Sequence, residues 1–190
     1  MSIELIVGLG NPGAEYEATR HNAGFWWLES VARANGVQLT QESKFFGRVA
    51  RLKSPEAWLL TPTTFMNASG QAVGAMARFY RIAPENILIV HDELDLDVGV
   101  TKLKKGGGHG GHNGLKDIAA HLGSKDFWRL RLGIGHPGKA EEVINFVLHK
   151  PSRDESNMIE SAIVRSTGVL PLLLTGEFEA AMLKLHTKVE

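Results

Sequence analysis

The chain has 190 residues, no cysteine, 43% hydrophobic and 22% charged residues, and 21 basic side chains balanced by 21 acidic ones. A chain of that length buries roughly 70% of its unfolded surface in one core, so a single domain over residues 1–190 is expected without any staple. The composition excludes thiolate nucleophiles, thiolate metal centres and a highly charged nucleic-acid coat, and no apolar run approaches the ~20 residues of a membrane span.

Leu5-Ile6-Val7 is a short apolar run bounded by glycine and reads as a buried strand. A long polar loop follows, Gly8-Leu9-Gly10-Asn11-Pro12-Gly13 running on through Tyr16 and Arg20 to His21-Asn22-Ala23-Gly24, before the aromatic run Phe25-Trp26-Trp27. Loops of this length are functional or disordered, and the glycines, Pro12 and Tyr16 favour a shaped one. Asn22 is placed to cap a helix over about residues 23–35, with Leu28, Val31 and Ala32 on one face and Gly36 as its stop. Strands at 45–52 and 57–61, separated by Lys53-Ser54-Pro55-Glu56, suit a hairpin. Pro62 to Gly70 is a second polar loop, with Ser69 placed to cap a helix carrying Val73, Met76, Ala77 and Tyr80. The strand signal Ile87-Leu88-Ile89-Val90 ends abruptly at His91-Asp92-Glu93, and its continuous apolar character suits a sheet covered on both faces.

A strand over 100–105, with Lys102 and Lys104 alternating, runs into the glycine-rich stretch Gly106 to Gly114, and Leu115, Ile118, Ala119 and Leu122 mark an amphipathic helix stopped by Gly123. The strand over 129–134 sets Arg129 and Arg131 on one face and Leu130 and Leu132 on the other. A short helix is expected over 141–148. Ser152 and Glu155 form a capping box for a longer helix that Pro171 bends or ends, and a last helix covers Glu177 to Lys188. The sum is an α/β fold, a twisted mixed β-sheet sandwiched between α-helices in a single domain.

Gly8-Leu9-Gly10-Asn11-Pro12-Gly13 matches the dinucleotide fingerprint in letters. That motif must open directly into a helix and be followed by a ribose-binding acid, and neither condition is met. His91, Asp92, His109 and His112 offer metal ligands, although the glycine run around the last two histidines gives no rigid face to hold them. No Gly-x-Ser-x-Gly elbow is present. A hydrolase built from these residues activates water directly, which needs an imidazole, a carboxylate to fix its tautomer and donors for the oxyanion. His21, Asp92 and the amides of Asn11, Asn67 and Asn113 supply those types, and strand carboxyl ends in an open α/β sheet bring Asn11 and Asp92 toward one crevice. Seven basic residues and two acids between Lys102 and Arg131 give that segment a net charge of +5, suited to phosphate contacts that do not read sequence. A metal-dependent hydrolase and a non-enzymatic RNA-binding module remain the alternatives.

The motifs resemble those of the bacterial peptidyl-tRNA hydrolases over most of the chain: Leu5 to Gly13 with Tyr16, Thr19 to Gly24, Lys44-Phe45-Phe46-Gly47, Pro62 to Asn67 with Ser69-Gly70, His91 to Asp95, Gly106 to Asp117, and Arg131 to Pro137. The resemblance implies cleavage of the ester between a peptide and the terminal ribose of tRNA by a monomeric, cytosolic enzyme that needs no cofactor, metal, membrane or obligate protein partner. It implies His21 as general base, Asp92 as the carboxylate holding it, and Asn11 as the residue that tells N-blocked from free aminoacyl groups. Tyr16, Phe65, Asn67 and Asn113 match positions contacting the peptide or the tRNA 3′ end. His112 matches a supporting histidine, and Lys102, Lys104 and Arg131 match a clamp on the tRNA 5′-phosphate. Gly10 stands where some relatives have alanine.

Overall fold

The computed structural model describes residues 1–187. Seven strands, β1 (Leu5–Gly8), β2 (Thr40–Glu42), β3 (Gly47–Lys53), β4 (Glu56–Pro62), β5 (Ile87–Glu93), β6 (Thr101–Lys105) and β7 (Trp128–Gly133), form one sheet in the order β2-β3-β4-β1-β5-β7-β6. Strands β4, β1, β5 and β7 are parallel, while β2, β3 and β6 run antiparallel to their neighbours, so the expected mixed sheet is present. The chain leaves β1 toward β4 on one side and returns to β5 on the other. That reversal opens a crevice at the carboxyl ends of β1 and β5, where open α/β sheets bind ligands.

The helices are α1 (Ala23–Ala34), α2 (Ser69–Phe79), α3 (Asn113–Leu122), α4 (Val143–Val147), α5 (Arg153–Thr167), α6 (Leu170–Leu174) and α7 (Phe178–His186). Side chains alternate across the pleat and divide the interior into two layers. Leu5, Val7, Ile87 and Ile89 pack with the helices α2 and α3, and Ile6, Leu88, Val90, Leu130 and Leu132 pack with α1, α5, α6 and α7. Both layers bury the central strands completely, which explains their unbroken apolar runs; each such aliphatic side chain stabilises the fold by about 1.5–3 kcal/mol. Helix α1 starts so close to β5 and to the end of β1 that a Cβ on Gly24 would stand 2.4 Å from the Val90 carbonyl oxygen and 2.5 Å from the Leu9 nitrogen. Gly24, read in the sequence as the end of the first loop, is the second residue of α1 and serves helix-to-strand contact.

Several local expectations are corrected. Strand β5 runs on to Glu93, so His91 and Asp92 lie within it rather than past its end. The first hairpin strand starts at Gly47, because Ser43–Phe45 form a 3-10 turn, and the edge strand β2 carried no apolar signal. Neither Asn22 nor Ser69 caps its helix: the Ser69 hydroxyl donates to the Met66 carbonyl at 2.7 Å, and the first turn of α2 is met instead by Asp117, whose carboxylate accepts from Gly70 N at 2.8 Å. The helix expected over 141–148 divides into a 3-10 turn, Ala140–Glu142, and α4. Helix α5 has its capping box, Ser152 with Glu155, but stops at Thr167, and Pro171 falls in the first turn of α6, where its missing N–H costs nothing. Of the last helix, the expected end at Lys188 lies outside the described residues.

Candidate active site

The loop after β1 is held by side-chain bonds rather than by regular structure. Asn22 Oδ1 accepts from the Asn11 backbone N–H at 2.8 Å, and Asn22 Nδ2 donates to the Asn11 carbonyl at 3.0 Å, so one buried carboxamide pairs with the whole peptide edge of Asn11. The side chain of Asn11 is oriented in turn by Met66, whose N–H donates to Oδ1 at 2.7 Å. Its oxygen is thereby committed, and its amide nitrogen has no partner among the described residues. Gly10 lies against Phe25, where an alanine Cβ would meet the ring at 2.7 Å, so alanine at this position requires that ring to turn. His21 sits in the 3-10 turn Arg20–Asn22 directly ahead of α1.

Asp92 is 3% exposed and lies between two imidazoles. His21 Nδ1 is 3.0 and 2.9 Å from its two oxygens, and His112 Nε2 is 3.0 Å from Oδ1. An ionised carboxylate only accepts, so His21 donates from Nδ1 and keeps its lone pair on Nε2. His112 is fixed as well, because its Nδ1 accepts from Gly114 N at 3.1 Å and Leu115 N at 3.4 Å while it caps α3. Burial alone would raise the Asp92 carboxyl, but the charges and hydrogen bonds of His21 and His112 outweigh it and hold the group well below the usual carboxylate range. For His21, burial disfavours the imidazolium, and Asp92 overrides that by charge and hydrogen bond, leaving its pKa above the ordinary value. His91 differs: it donates from Nδ1 to the Asp92 carbonyl at 2.8 Å, and burial, with the neighbouring His112, pushes it down to about 3.

Ligand atoms of His21, Asp92 and His112 lie within 4.8 Å of one another, a group that keeps Asp92 and His112 of the four residues read in the sequence and has His21 in place of His91 and His109. The tautomer of His112 puts a proton on the nitrogen that faces Asp92, so that nitrogen has no lone pair for a cation. His109 is exposed and accepts from Gly111 N at 3.0 Å. The arrangement matches a carboxylate holding two imidazoles by hydrogen bonds.

A cleft of about 280 Å³ opens above this pair. Asn11, His21, Phe65, Asn67, Asp92, His112 and Asn113 all line it, and Val143, Ile144, Val147 and Leu148 of the α4 region form an apolar wall that sequence reasoning did not assign to a site. Tyr16 stands beside it, edge-on to Phe65 with ring centroids 6.3 Å apart. Lys104 and Arg131 line an adjoining cleft that shares Glu93 and Gly110 with the first, together with buried Arg129. Lys102 lies apart from that cleft, in a hollow with Arg165 and His186. In the β6–β7 pair Lys102 opposes Arg131 and Lys104 opposes Arg129, a pairing of like charges that costs stability unless anions relieve it. Among the described residues Arg131 has one loose ionic partner, Glu93 at 3.8 Å. Arg129 is spent on structure, since its guanidinium donates to the Gly107 and Gly108 carbonyls and holds the glycine run. Asn22 also went unassigned to the site: its partner lies eleven residues away, and no periodic pattern marks such a pair.

A family model described as peptidyl-tRNA hydrolase matches residues 5–190. The peptidyl-tRNA hydrolase of Methylobacillus flagellatus is 63% identical over 189 residues, covering 99% of this chain and 98% of its own length. That of Nitrosospira multiformis is 57% identical over 188 residues, with 98% of both chains covered. The crystal structure of peptidyl-tRNA hydrolase from Acinetobacter baumannii superposes with a TM-score of 0.95 at 49% identity, covering 97% of this chain and 95% of that one.

Proposed function

The chain belongs to the peptidyl-tRNA hydrolase family and is a hydrolase of the ester between peptide and tRNA, and from that premise we propose that His21 is its general base. The observation that carries this role is the single hydrogen-bonding arrangement of the ring: Nδ1 is occupied by Asp92, which leaves the basic nitrogen Nε2 on a side chain lining the cleft. Water held there loses a proton to Nε2 as its oxygen bonds to the ester carbonyl carbon. Asp92 stabilises the imidazolium without taking the proton. Carboxamide donors of Asn67 and Asn113 face the developing oxyanion. Collapse breaks the bond to the ribose oxygen, which takes the proton back from His21, releasing peptide carboxylate and tRNA hydroxyl.

Asn11 is suited to discriminate the substrate's amino group. With Oδ1 bonded to Met66 N, it offers only N–H donors. A blocked amino group is an amide whose carbonyl accepts them, whereas a free ammonium has donors alone. Lys104 and Arg131 are the cations placed to take a tRNA phosphate, with Lys102 as an outlying contact; Tyr16 and Phe65 flank the path of the peptide or 3′ end, and His112 keeps Asp92 in place. The reading is of an enzyme that acts as a monomer, in the cytosol where its substrate is made. Among the described residues no helix is long and apolar enough to cross a membrane.

The test is hydrolysis of N-acetyl-aminoacyl-tRNA beside the same tRNA carrying an unblocked amino acid, with and without EDTA. Release from the blocked substrate alone, indifferent to chelator, is expected. Loss of activity with EDTA transfers the histidines to a metal, and equal release from both substrates removes the role given to Asn11.

A further inference from the structure

Phe46 has a backbone that its side chain does not favour. It adopts the left-handed conformation, φ 52° and ψ 33°, which glycine and asparagine enter readily and a bulky aromatic does not. The surroundings hold it there: the Thr63 N–H and hydroxyl donate to the Phe46 carbonyl at 2.9 and 3.2 Å, and Gln41 Nε2 donates to that hydroxyl at 3.2 Å. Core packing does not account for the ring, since Phe46 is 45% exposed while its neighbour Phe45 is buried. Strained residues fixed by their surroundings cluster at functional sites.

Its place on the sheet indicates the use. The carboxyl ends of β4, β1, β5 and β7 share one edge, and β3, antiparallel to β4, starts at that edge immediately after Phe46. The reading of the site given above, on which this inference rests, puts tRNA phosphate beside β7 and β6 and the ester between β1 and β5. A substrate laid in that order sends its peptide on across β4 toward β3. Phe65, 59% exposed at the cleft, and Phe46 are large exposed apolar side chains on that path, joined by Pro62-Thr63-Thr64, a strip without an ionisable group. A nucleic acid would call for cations there, and the neighbouring Lys44 instead lies over the Phe45 and Phe79 rings at 5.0 and 4.7 Å. Two strand spacings separate β1 from β3, ~10 Å, or about three residues of extended peptide.

We propose that Phe46 and Phe65 form an apolar shelf for the peptide about three residues from the ester, which makes Phe46 a determinant of peptide-length preference. A single blocked aminoacyl group does not reach it; a tetrapeptide does.

The experiment compares wild type, Phe46→Gly and Phe46→Leu on one tRNA carrying either N-acetyl-alanine or an N-acetylated tetrapeptide of three leucines ending in that alanine. Phe46→Gly is expected to lower kcat/KM on the tetrapeptide about five- to tenfold, through KM, with the N-acetyl-alanyl ester unaffected. Its melting temperature stays equal or rises, because glycine relieves the left-handed strain. Phe46→Leu restores part of the loss. An unchanged ratio between the two substrates overturns the proposal, and so does an equal loss on both, which assigns the ring to RNA stacking or to structure. Failure of wild type to hydrolyse N-acetyl-alanyl-tRNA is a separate result, against the function itself.

Discussion

Asp92 holds His21 in its basic tautomer and also makes it harder to deprotonate. Because the raised His21 must be neutral to accept a proton from water, activity is expected to rise with pH through a value above the ordinary histidine pKa of about 6.5. Replacing Asp92 by Asn removes the charge that raises it, so the acid limb of kcat/KM moves to lower pH while the plateau falls by about 10²-fold; an unmoved limb counts against the pairing. His21→Ala, which removes the base itself, is expected to cost about 10³-fold or more in kcat, and near-normal turnover would end the mechanism. The same shifts bear on stability with opposite signs. His21, raised by folding, stabilises the protein below its ordinary pKa and loses that contribution as pH rises through its folded value. Asp92, depressed, stabilises above the ordinary carboxylate pKa and loses that as pH falls through its folded value. Thermal melts across both ranges, set against Asp92→Asn, separate the two. Asn22→Ala leaves the Asn11 N–H and carbonyl without their partner in a buried place, at about 1–3 kcal/mol. Its more telling effect is on selectivity: the preference for blocked over unblocked aminoacyl-tRNA is expected to shrink.

The elements at the cleft are finished by one another. Helix α3 begins under the His112 imidazole that also bonds Asp92, and α2 begins against the Asp117 carboxylate from α3. Arg20, next to His21, donates to the Phe146 carbonyl in the last turn of α4, to the His149 carbonyl just after it and to Glu155, the capping-box acid of α5. The turn carrying the base, the apolar wall of the cleft and the start of α5 are therefore tied through one guanidinium. Asp117→Ala is expected to destabilise the protein by about 1 kcal/mol in urea titrations and to raise KM, since Asn67 lies in the turn directly ahead of α2. A change in stability with KM untouched would separate that cap from the substrate. These ties were illegible beforehand for a physical reason. The Ser152 capping box was legible because both partners lie within one turn, whereas the bonds of Asp117 to Gly70 and Arg20 to Phe146 exist only once distant segments pack.

Across the whole molecule, two clefts meet at Glu93 and Gly110, one carrying the imidazole–carboxylate pair and the other Lys104 and Arg131. If phosphate is held in the second, Lys104→Ala and Arg131→Ala should each weaken tRNA binding and flatten the slope of log affinity against log salt by close to one. Lys102→Ala, away from that cleft, is expected to do less; salt slopes unchanged from wild type in the Lys104 and Arg131 variants would discard the clamp. The amino-acid sequence by itself determined the α/β class, the buried central strands and most helices, because apolar periodicity and glycine punctuation act within a few residues. It also assembled the motifs whose order marks the family, with His21, Asp92, Asn11, Asn67, His112 and Asn113 among them. Only the tertiary structure decided that Asn22 grips Asn11 instead of capping α1, that Asp92 serves two histidines at once, that Arg129 holds the glycine run, and that Lys102, although opposite Arg131 in the sheet, lines a different cleft from Lys104 and Arg131. Each depends on directional hydrogen bonds or strand register between segments far apart in the chain, and local propensity carries no record of where such partners come to rest.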